Sequence, residues 1–397
     1  MIRAAIVGCG KMADQHAIQI LRLSGIELVA TCDTEPLMAR QMAERFNVPE
    51  WYTDVDEMLA SAHPDVVHVT TPPQSHLSVG RKCIAAGAHA YIEKPFTLNT
   101  ADAVELIELA NQKGVRITAG HNAQFTHAMR QMRCLINEGY LGGRVVHMES
   151  LYCYELGDPG YAKALLGDKD HWARKLPGSL PQNIISHGVA KIAELMKGDD
   201  IVVTAQSFTS PFLKEIGQDD IVDELRLTVR DEYGTTADFT FSSQISPSLH
   251  QFRVYGQKRS LLVDDDHQIV IKMENKEYKS YLRFFVPPVL FAKQYLGGLK
   301  RNLKKFAKRD LHMPNDAGLF TLIDLFYKSI KEDAPLPISY REILLTSRIM
   351  DAAFEQTKIG KREQAGYPEI AAVNSSPVVA LKDAVSQLQH AIEPVIN

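Results

Sequence analysis

The sequence predicts an α/β domain with a parallel sheet, followed by an α+β domain built on a large, mostly antiparallel open sheet. Three observations carry this. Over the first 120 or so residues, short β-type runs alternate with longer helical patterns, which implies a parallel sheet covered by helices. Beyond residue 122, strands with strict period-two alternation follow one another through short turns, as in an antiparallel sheet with one buried face. The length of 397 residues accommodates two or three domains at roughly 150 residues each.

In the first domain the expected strands are Arg3–Val7, Glu27–Thr31, Val66–Thr70, Ala88–Ile92 and Arg116–Ala119, with Tyr52 in a further short one. Between them Asp14–Leu23, Pro36–Phe46, Val55–Ala62, Ser75–Ala86 and Thr100–Lys113 read as helices. Pro36 suits a first helical turn, where its missing N–H would have no intrahelical acceptor. The junction of the first strand and helix is Gly8-Cys9-Gly10-Lys11-Met12-Ala13, a G-x-G-x-x-A pattern. The first glycine allows a tight turn, the second lets backbone approach a pyrophosphate, and Ala13 permits close packing of helix on strand. The helix amino terminus then presents N–H groups to the anion. Asp33, twenty residues after Ala13, stands just beyond the second strand, placed for ribose hydroxyls. Together these features specify a Rossmann-type dinucleotide site. Asp33 would repel a 2′-phosphate, and Thr34-Glu35-Pro36 supplies no adjacent cation, so NAD is favoured over NADP. Arg40 reads as a solvated helix residue.

Further along come Thr70-Thr71-Pro72-Pro73-Gln74-Ser75-His76 and Glu93-Lys94-Pro95. A dinucleotide-binding start, a T-P-P-x-x-H turn and an E-K-P tripeptide, in this order, resemble the glucose–fructose oxidoreductase/inositol dehydrogenase (Gfo/Idh/MocA) family. The resemblance is most specific over residues 1–122 and continues more weakly to about residue 360. It implies that Lys94 lies beside the nicotinamide as a catalytic or substrate-orienting lysine, with Glu93 near the nicotinamide ribose. Thr71, Pro72 and His76 join the cofactor surface, although packing or capping explains His76 nearly as well. His16 and His89 read as structural. The residue before a proline is steered away from helical geometry, and the Lys94-Pro95 bond is of the kind that adopts cis at modest cost.

The second domain, 123–365, opens with a helix over Thr126–Glu138. Expected strands are Arg144–Tyr152, Ile201–Phe208, the alternating runs through Leu225-Leu227-Val229 and Ala237-Phe239-Phe241, Gln251–Tyr255, Ser260–Val263 and Gln268–Lys272. The informative segment runs from Pro177 to His187 and enters a helix whose apolar stripe is Ile185, Val189, Ile192, Ala193 and Met196. Asn183 and His187, four apart, stack on the opposite side, facing either a cleft or water. In the resembled family a glycine turn leads to an aspartate and, four residues on, to the usual proton-transfer histidine. Gly178, Leu180 and His187 match, but Asn183 stands at the aspartate position, and an amide cannot ionise. His187 and Lys94 must then share the acid–base work, with Asn183 either orienting a partner or serving as a helix N-cap. The family often has arginine where Gln124 stands. Asn122 and Gln124 are candidate hydroxyl-binding donors. Trp172 and Arg174 are candidate substrate contacts within a cluster that includes Tyr152, Tyr154, Tyr161, Lys163, His171 and Lys175.

From Lys293 to Arg309 there are seven basic residues and no acid, with Leu296, Leu299, Leu303 and Phe306 at helical spacing. Gly297 and Gly298 weaken that helix, so a subunit contact or a solvated face is preferred over contact with a membrane surface. A helix is expected over 341–359, and 366–397 reads as a tail with a late helix over Leu381–Ile392.

Composition bounds the rest. Hydrophobic residues at 45% and charged residues at 23% fit a globular chain, and 44 basic against 48 acidic residues exclude a generally basic nucleic-acid binder. Five scattered cysteines in no metal-like spacing argue against a disulfide scaffold or a metal module and for a reducing, cytoplasmic setting. No signal segment opens the chain. The resemblance implies an NAD-dependent enzyme oxidising or reducing a secondary hydroxyl or ketone of a sugar, cyclitol or nucleotide sugar, assembled as a homo-oligomer through its second sheet. Two alternatives stay open: redox-neutral chemistry on tightly held NAD, and a non-catalytic NAD-binding homologue.

Overall fold

A computed structural model describes residues 1–154, 166–307 and 318–357. Tyr161, Lys163, the last residues of the basic segment, and the tail with its expected helix lie outside the described residues. Residues 1–360 form one compact unit.

Its first sheet has six parallel strands in the order β3-β2-β1-β4-β5-β6. These are β1 (Ile2–Val7), β2 (Ile26–Cys32), β3 (Glu50–Tyr52), β4 (Val66–Val69), β5 (His89–Ile92) and β6 (Ile117–Ala119). The strand order reverses between β1 and β4, and such a switch point opens a crevice at the strands' carboxyl ends where ligands bind. Ala4–Val7 and Val66–Val69 are buried throughout, as strands covered by helices on both faces must be. The covering helices are α1 (Lys11–Ile20), α2 (Pro36–Phe46), α3 (Val55–Ala62), α4 (His76–Ala85) and α5 (Thr100–Lys113). Asp54 and Asn99 cap α3 and α5 by accepting the N–H groups of Glu57 and Asp102. Helix α1 starts three residues before the expected Asp14, directly from Gly10, so its unsatisfied N–H groups lie against the glycine loop.

The second sheet has seven strands in the order β13-β12-β11-β7-β10-β9-β8. They are β7 (Val145–Cys153), β8 (Ile201–Phe208), β9 (Glu224–Asp231), β10 (Thr236–Ser242), β11 (Leu249–Gly256), β12 (Arg259–Asp264) and β13 (Ile269–Glu274). Only β7 and β10 pair in parallel; every other neighbouring pair is antiparallel. Leu225, Leu227 and Val229 face the core while Arg226, Thr228 and Arg230 face outward, as the alternation requires. The helices are α6 (His127–Asn137), α7 (Ser179–Ile184), α8 (Ser186–Leu195), α9 (Pro211–Glu215), α10 (Val286–Ala307), α11 (Leu319–Glu332) and α12 (Tyr340–Thr357). The single helix expected from the 177–196 region is thus two, meeting at Ile185, and Met196 ends it in extended geometry. Asn183 lies inside α7 and is not an N-cap. Helix α8 lies close on the sheet: a Cβ at Gly188 would fall 2.3 Å from the Phe239 ring, and Ser150 Oγ donates to Gly188 O at 3.2 Å.

Helix α11, which the sequence reading lacked, returns to the first domain. Leu319, Leu322, Ile323, Phe326 and Tyr327 join the core of the parallel sheet, as does Ile343 of α12. The first domain is therefore completed by residues almost two hundred positions beyond its amino-terminal stretch.

Candidate active site

At the switch point, Gly8 has φ +92°, and a Cβ there would lie 2.6 Å from Thr71 N. Glycine is required on both counts. Thr70 Oγ1 donates to Gly8 O at 2.6 Å and so fastens the glycine loop to the end of β4. A Cβ at Gly10, by contrast, would meet nothing within 4 Å. The loop is tight against protein on one side and open on the other, and with Lys11 and Met12 it begins α1 with no side-chain cap. That is the form of an anion cradle. Asp33 Oδ2 accepts the Cys9 N–H at 2.7 Å, and Oδ1 accepts that of Glu35 at 2.9 Å. Both oxygens keep acceptor capacity for ribose hydroxyls. Arg40 is paired with Glu44 at 2.8 Å on the exposed face of α2, as its reading as a solvated residue anticipates. The Cys9 thiol is buried and pushed up to about 12, first by desolvation and then by Asp33, so only its backbone takes part.

The turn after β4 and the E-K-P segment after β5 are tied together by His76. Its Nδ1 lies 2.9 Å from Pro95 O and its Nε2 lies 2.9 Å from Thr71 O. Burial lowers its pKa, and a neutral ring donates to one of the two carbonyls. Both ring nitrogens face backbone, so His76 braces two loops. Thr71 Oγ1 accepts from Ser75 Oγ, and Pro72 is exposed at the rim.

Lys94 Nζ donates to Asn183 O at 2.9 Å and lies 3.2 Å from Asn183 Oδ1. The 89-residue separation makes this a bond between the first domain and α7. Burial lowers the lysine's pKa, with Glu93 opposing. For Glu93, burial alone would raise the carboxyl, but the His16 hydrogen bond and the charges of His16 and Lys94 outweigh it and hold it below the usual range. Behind Glu93 runs a buried chain. His16 Nε2 is 3.0 Å from Glu93 Oε1, His16 Nδ1 is 2.8 Å from His68 Nδ1, and His68 Nε2 is 3.0 Å from Tyr327 OH. Burial keeps His68 well below the ordinary imidazole value, with His16 as a second cause. When His16 carries one proton, the partners fix every hydrogen: Tyr327 donates to His68, His68 to His16, and His16 to Glu93. His16 is structural, as expected, but its structural role is to hold the carboxylate beside Lys94.

His187 sits at the start of α8 with its ring stacked on Tyr152, centroids 5.3 Å apart at 24°. Its pKa is held well below the ordinary value by burial first, then by Lys94, His121, Lys191 and His250. Tyr152 in turn meets His250 edge-on at 4.5 Å, and Tyr154 meets His250 at 5.2 Å, giving an aromatic wall beside His187. His121, to which the sequence reading gave no role, stands at the carboxyl end of β6, 2% exposed. Burial pushes it to about 4, Glu93 opposing and Lys94 assisting. Its position just past a sheet strand was the available signal, because ligands of such sheets gather there.

Four other candidates stand differently. Asn122 follows His121 and is half-buried. Gln124 is 1% exposed, and its Nε2 donates to Glu194 at 3.1 Å and Glu342 at 3.4 Å, in a group that also holds Arg133. Its amide donor serves this internal group. The Arg174 guanidinium is likewise engaged, by Asp220 at 2.9 Å and Gln218 at 2.7 Å. Trp172 is half-buried, and its carbonyl accepts Gln74 Nε2 at 3.1 Å, so its loop rests on the turn after β4. Among the described residues no group of three or more His, Cys, Asp or Glu is placed for a metal ion.

His121 also sets a pH dependence. Its folded pKa of about 4 lies below the ordinary 6.5, so the unfolded chain binds the extra proton between those values. The stability is full above the unfolded value and falls as pH drops toward the folded one. Urea unfolding at pH 7 and pH 4.5 is expected to lose on the order of 2 kcal/mol less in His121→Gln than in the parent chain. An equal loss in both would remove His121 from this role.

A six-stranded parallel sheet with a glycine-loop cradle and an acidic residue after β2 has the form of a dinucleotide-binding domain. Residues 2–121 match the model of an oxidoreductase family with an NAD-binding Rossmann fold, Gfo/Idh/MocA. The chain is 31% identical over 142 residues to D-glucoside 3-dehydrogenase of Escherichia coli, covering 36% of this chain and 40% of that protein. The chain thus spans well under two thirds of the length of that relative. It is 25% identical over 271 residues to 1,5-anhydro-D-fructose reductase of Ensifer adhaerens, covering 66% of this chain and 75% of that protein. The fold matches that of the WlbA dehydrogenase from Bordetella pertussis, solved with NADH and UDP-GlcNAcA, with a TM-score of 0.72 at 17% identity over 92% of this chain and 98% of that one.

Proposed function

We propose that the chain is an NAD-dependent enzyme acting on a secondary hydroxyl or ketone of a sugar, cyclitol or nucleotide sugar. The observation that carries this is the placement of a buried, Asn183-bound Lys94 beside a neutral His187 and His121, at the carboxyl edge of the cradle-bearing sheet. The residues present fit the cofactor: an open Gly10 for the pyrophosphate, Asp33 for the ribose, and no cation in the Thr34-Glu35-Pro36 segment after Asp33 to welcome a 2′-phosphate. Bound there, NAD would supply a hydride acceptor. Lys94, charged and held by Asn183, donates to the substrate oxygen and stabilises negative charge as it develops. His187, kept neutral by burial, accepts the hydroxyl proton. Tyr152, Tyr154 and His250 offer ring faces to the apolar face of a sugar. Trp172 lies at the edge of this site. D-glucoside 3-dehydrogenase and 1,5-anhydro-D-fructose reductase carry names for sugar chemistry of this class.

Removing the carboxylate in Asp33→Ala is expected to weaken NAD binding by about 10–100-fold, the loss of one or two charge-assisted hydrogen bonds, and to narrow the preference over NADP. Calorimetric titration of both nucleotides checks this, and unchanged NAD affinity would count against the ribose role. With a panel of sugars, cyclitols and nucleotide sugars, steady accumulation of NADH supports simple dehydrogenation. Turnover of substrate without accumulation, on NAD retained through dialysis, supports the redox-neutral alternative. Bound NAD with turnover of no substrate would leave the non-catalytic reading. The homo-oligomer expected through the second sheet, and the cytoplasmic setting, belong to the same reading.

A further inference from the structure

Helix α10 is turned the wrong way round for an ordinary surface helix. A helix on a globular domain places its apolar stripe inward and its polar face toward water. Here the inward side carries Gln294, Gly298 and Asn302. Gln294 Oε1 accepts the Lys272 N–H at 2.7 Å and its Nε2 donates to Lys272 O at 3.0 Å, closing the free edge of β13. Asn302 Nδ2 donates to His267 O at 2.8 Å. Gly298 is buried against Ile269, where a Cβ would lie 3.0 Å away. Gly298, one of the two glycines that weaken the helix in sequence terms, is what allows this turn to lie flat on the sheet edge.

The consequence is on the other side. At 100° per residue, Tyr295, Phe306, Leu299, Leu303, Leu296 and Val289 form one continuous outward arc, and Lys300, Lys293 and Lys304 form the adjoining arc. The apolar arc is open: Leu296 is 65% exposed, Leu303 59%, Leu299 53% and Phe306 68%. Phe284 and Phe285, just before the helix, are exposed at 68% and 66% and extend the stripe. The 22-residue helix is ~33 Å long. No acidic residue occurs between Leu282 and Ala307. Acids beside the helix have other partners: Asp264 pairs with His267, Asp265 with Lys191, Asp266 with His250, and Glu274, which lines a pocket with Lys293, with Lys276. Among the described residues, none of these acids is ion-paired with Lys293, Lys300 or Lys304.

We propose that α10 is a membrane-surface helix that lies in the plane of an anionic bilayer, with its Leu/Phe/Tyr arc among the acyl chains and its lysines at the phosphates. The charge pattern selects this occupant over a second copy of the chain. A two-fold contact sets like patches against each other and would oppose two acid-free cationic arcs, whereas an anionic surface answers every lysine. None of the described helices is long and apolar enough to cross a membrane, and the lysines on α10 place it at the interface. The preference for a subunit contact or a solvated face, drawn from sequence, changes because the structure exposes the apolar arc.

The test is flotation of the full-length chain with vesicles of phosphatidylcholine alone or with about a quarter phosphatidylglycerol. The chain is expected to float with the anionic vesicles and not with the neutral ones, and to be released at about 1 M salt, where screening is nearly complete. Leu296→Ser with Leu299→Ser, and separately Lys300→Glu with Lys304→Glu, are each expected to lower the bound fraction at least tenfold. Both pairs are solvent-exposed, and unchanged thermal unfolding shows that the fold is intact. Retention of the wild type in the soluble fraction with both vesicles overturns the proposal. So does an oligomer, measured by light scattering without lipid, that the two serine substitutions dissolve: the arc would then be a self-association surface.

Discussion

Turnover in the His187→Asn variant is expected to fall by about 10²–10⁴-fold, the range for losing a positioned proton acceptor. NAD affinity should be unchanged, because the cradle at Gly8, Gly10 and Asp33 belongs to the other domain. The pH profile separates chemistry from packing. His187 is held below the ordinary imidazole value by burial and by the surrounding cations, so the rate of the parent enzyme should stay flat as pH falls through 6.5 and decline only below it. In the asparagine variant the acid limb should vanish along with most of the rate. A variant that loses rate but keeps the limb would mean that the ring serves only to pack against Tyr152.

Replacing Lys94 by methionine keeps the length of the stem and removes the charge. Turnover is expected to drop about 10²–10³-fold, as when one donor to a developing oxyanion is removed. Burial lowers the lysine's pKa from 10.5, so the alkaline limb of the parent profile should lie below that value, the active form being the protonated one. Asn183→Asp gives a sharper reading. A carboxylate in place of the amide oxygen 3.2 Å from Nζ favours the charged lysine, and the alkaline limb should move up. An unmoved limb would show that another group titrates there. If Asn183→Asp raises the limb while lowering the rate, the amide is the better partner for a lysine that must still donate to substrate.

The first domain was legible because its tight turn and strand ends constrain the backbone locally. Gly8 and Gly10, the acid after β2 and the proline after Lys94 are local requirements of a turn, an anion and a strand end, and local requirements leave marks within a few residues. What the sequence hid depends on partners far away. Gln124 and Arg174 looked like substrate donors because their carboxylate partners, Glu194, Glu342 and Asp220, lie 46 to 218 residues off. His16 gave no hint of its tie to Glu93, since the chain through His68 closes only when α11 delivers Tyr327. The break at Ile185 falls where the apolar stripe of the expected helix begins, so periodicity showed α8 and not the separate α7 before it. Helix α10 was visible as a basic amphipathic segment, but which of its faces met the protein was decided by the edge of β13, where Gln294 supplies the missing ladder bonds. The Lys94–Asn183 bond joins the E-K-P tripeptide to the asparagine that departs from the resembled pattern, and only the fold brings the two within reach.

The central claim is that the cradle, Lys94 and His187 form one redox site. Stopped-flow absorbance of reduced nicotinamide, on enzyme preloaded with NAD and mixed with the sugar, cyclitol and nucleotide-sugar panel, tests it most directly, because it registers a bound transient as well as released product. The expected result is a reduced-nicotinamide signal with at least one secondary alcohol in the parent chain, and none on the same timescale in the Lys94→Met/His187→Asn double variant with NAD still bound. A signal that forms as fast in the double variant, or no signal from the parent chain with any substrate despite bound NAD, would contradict it.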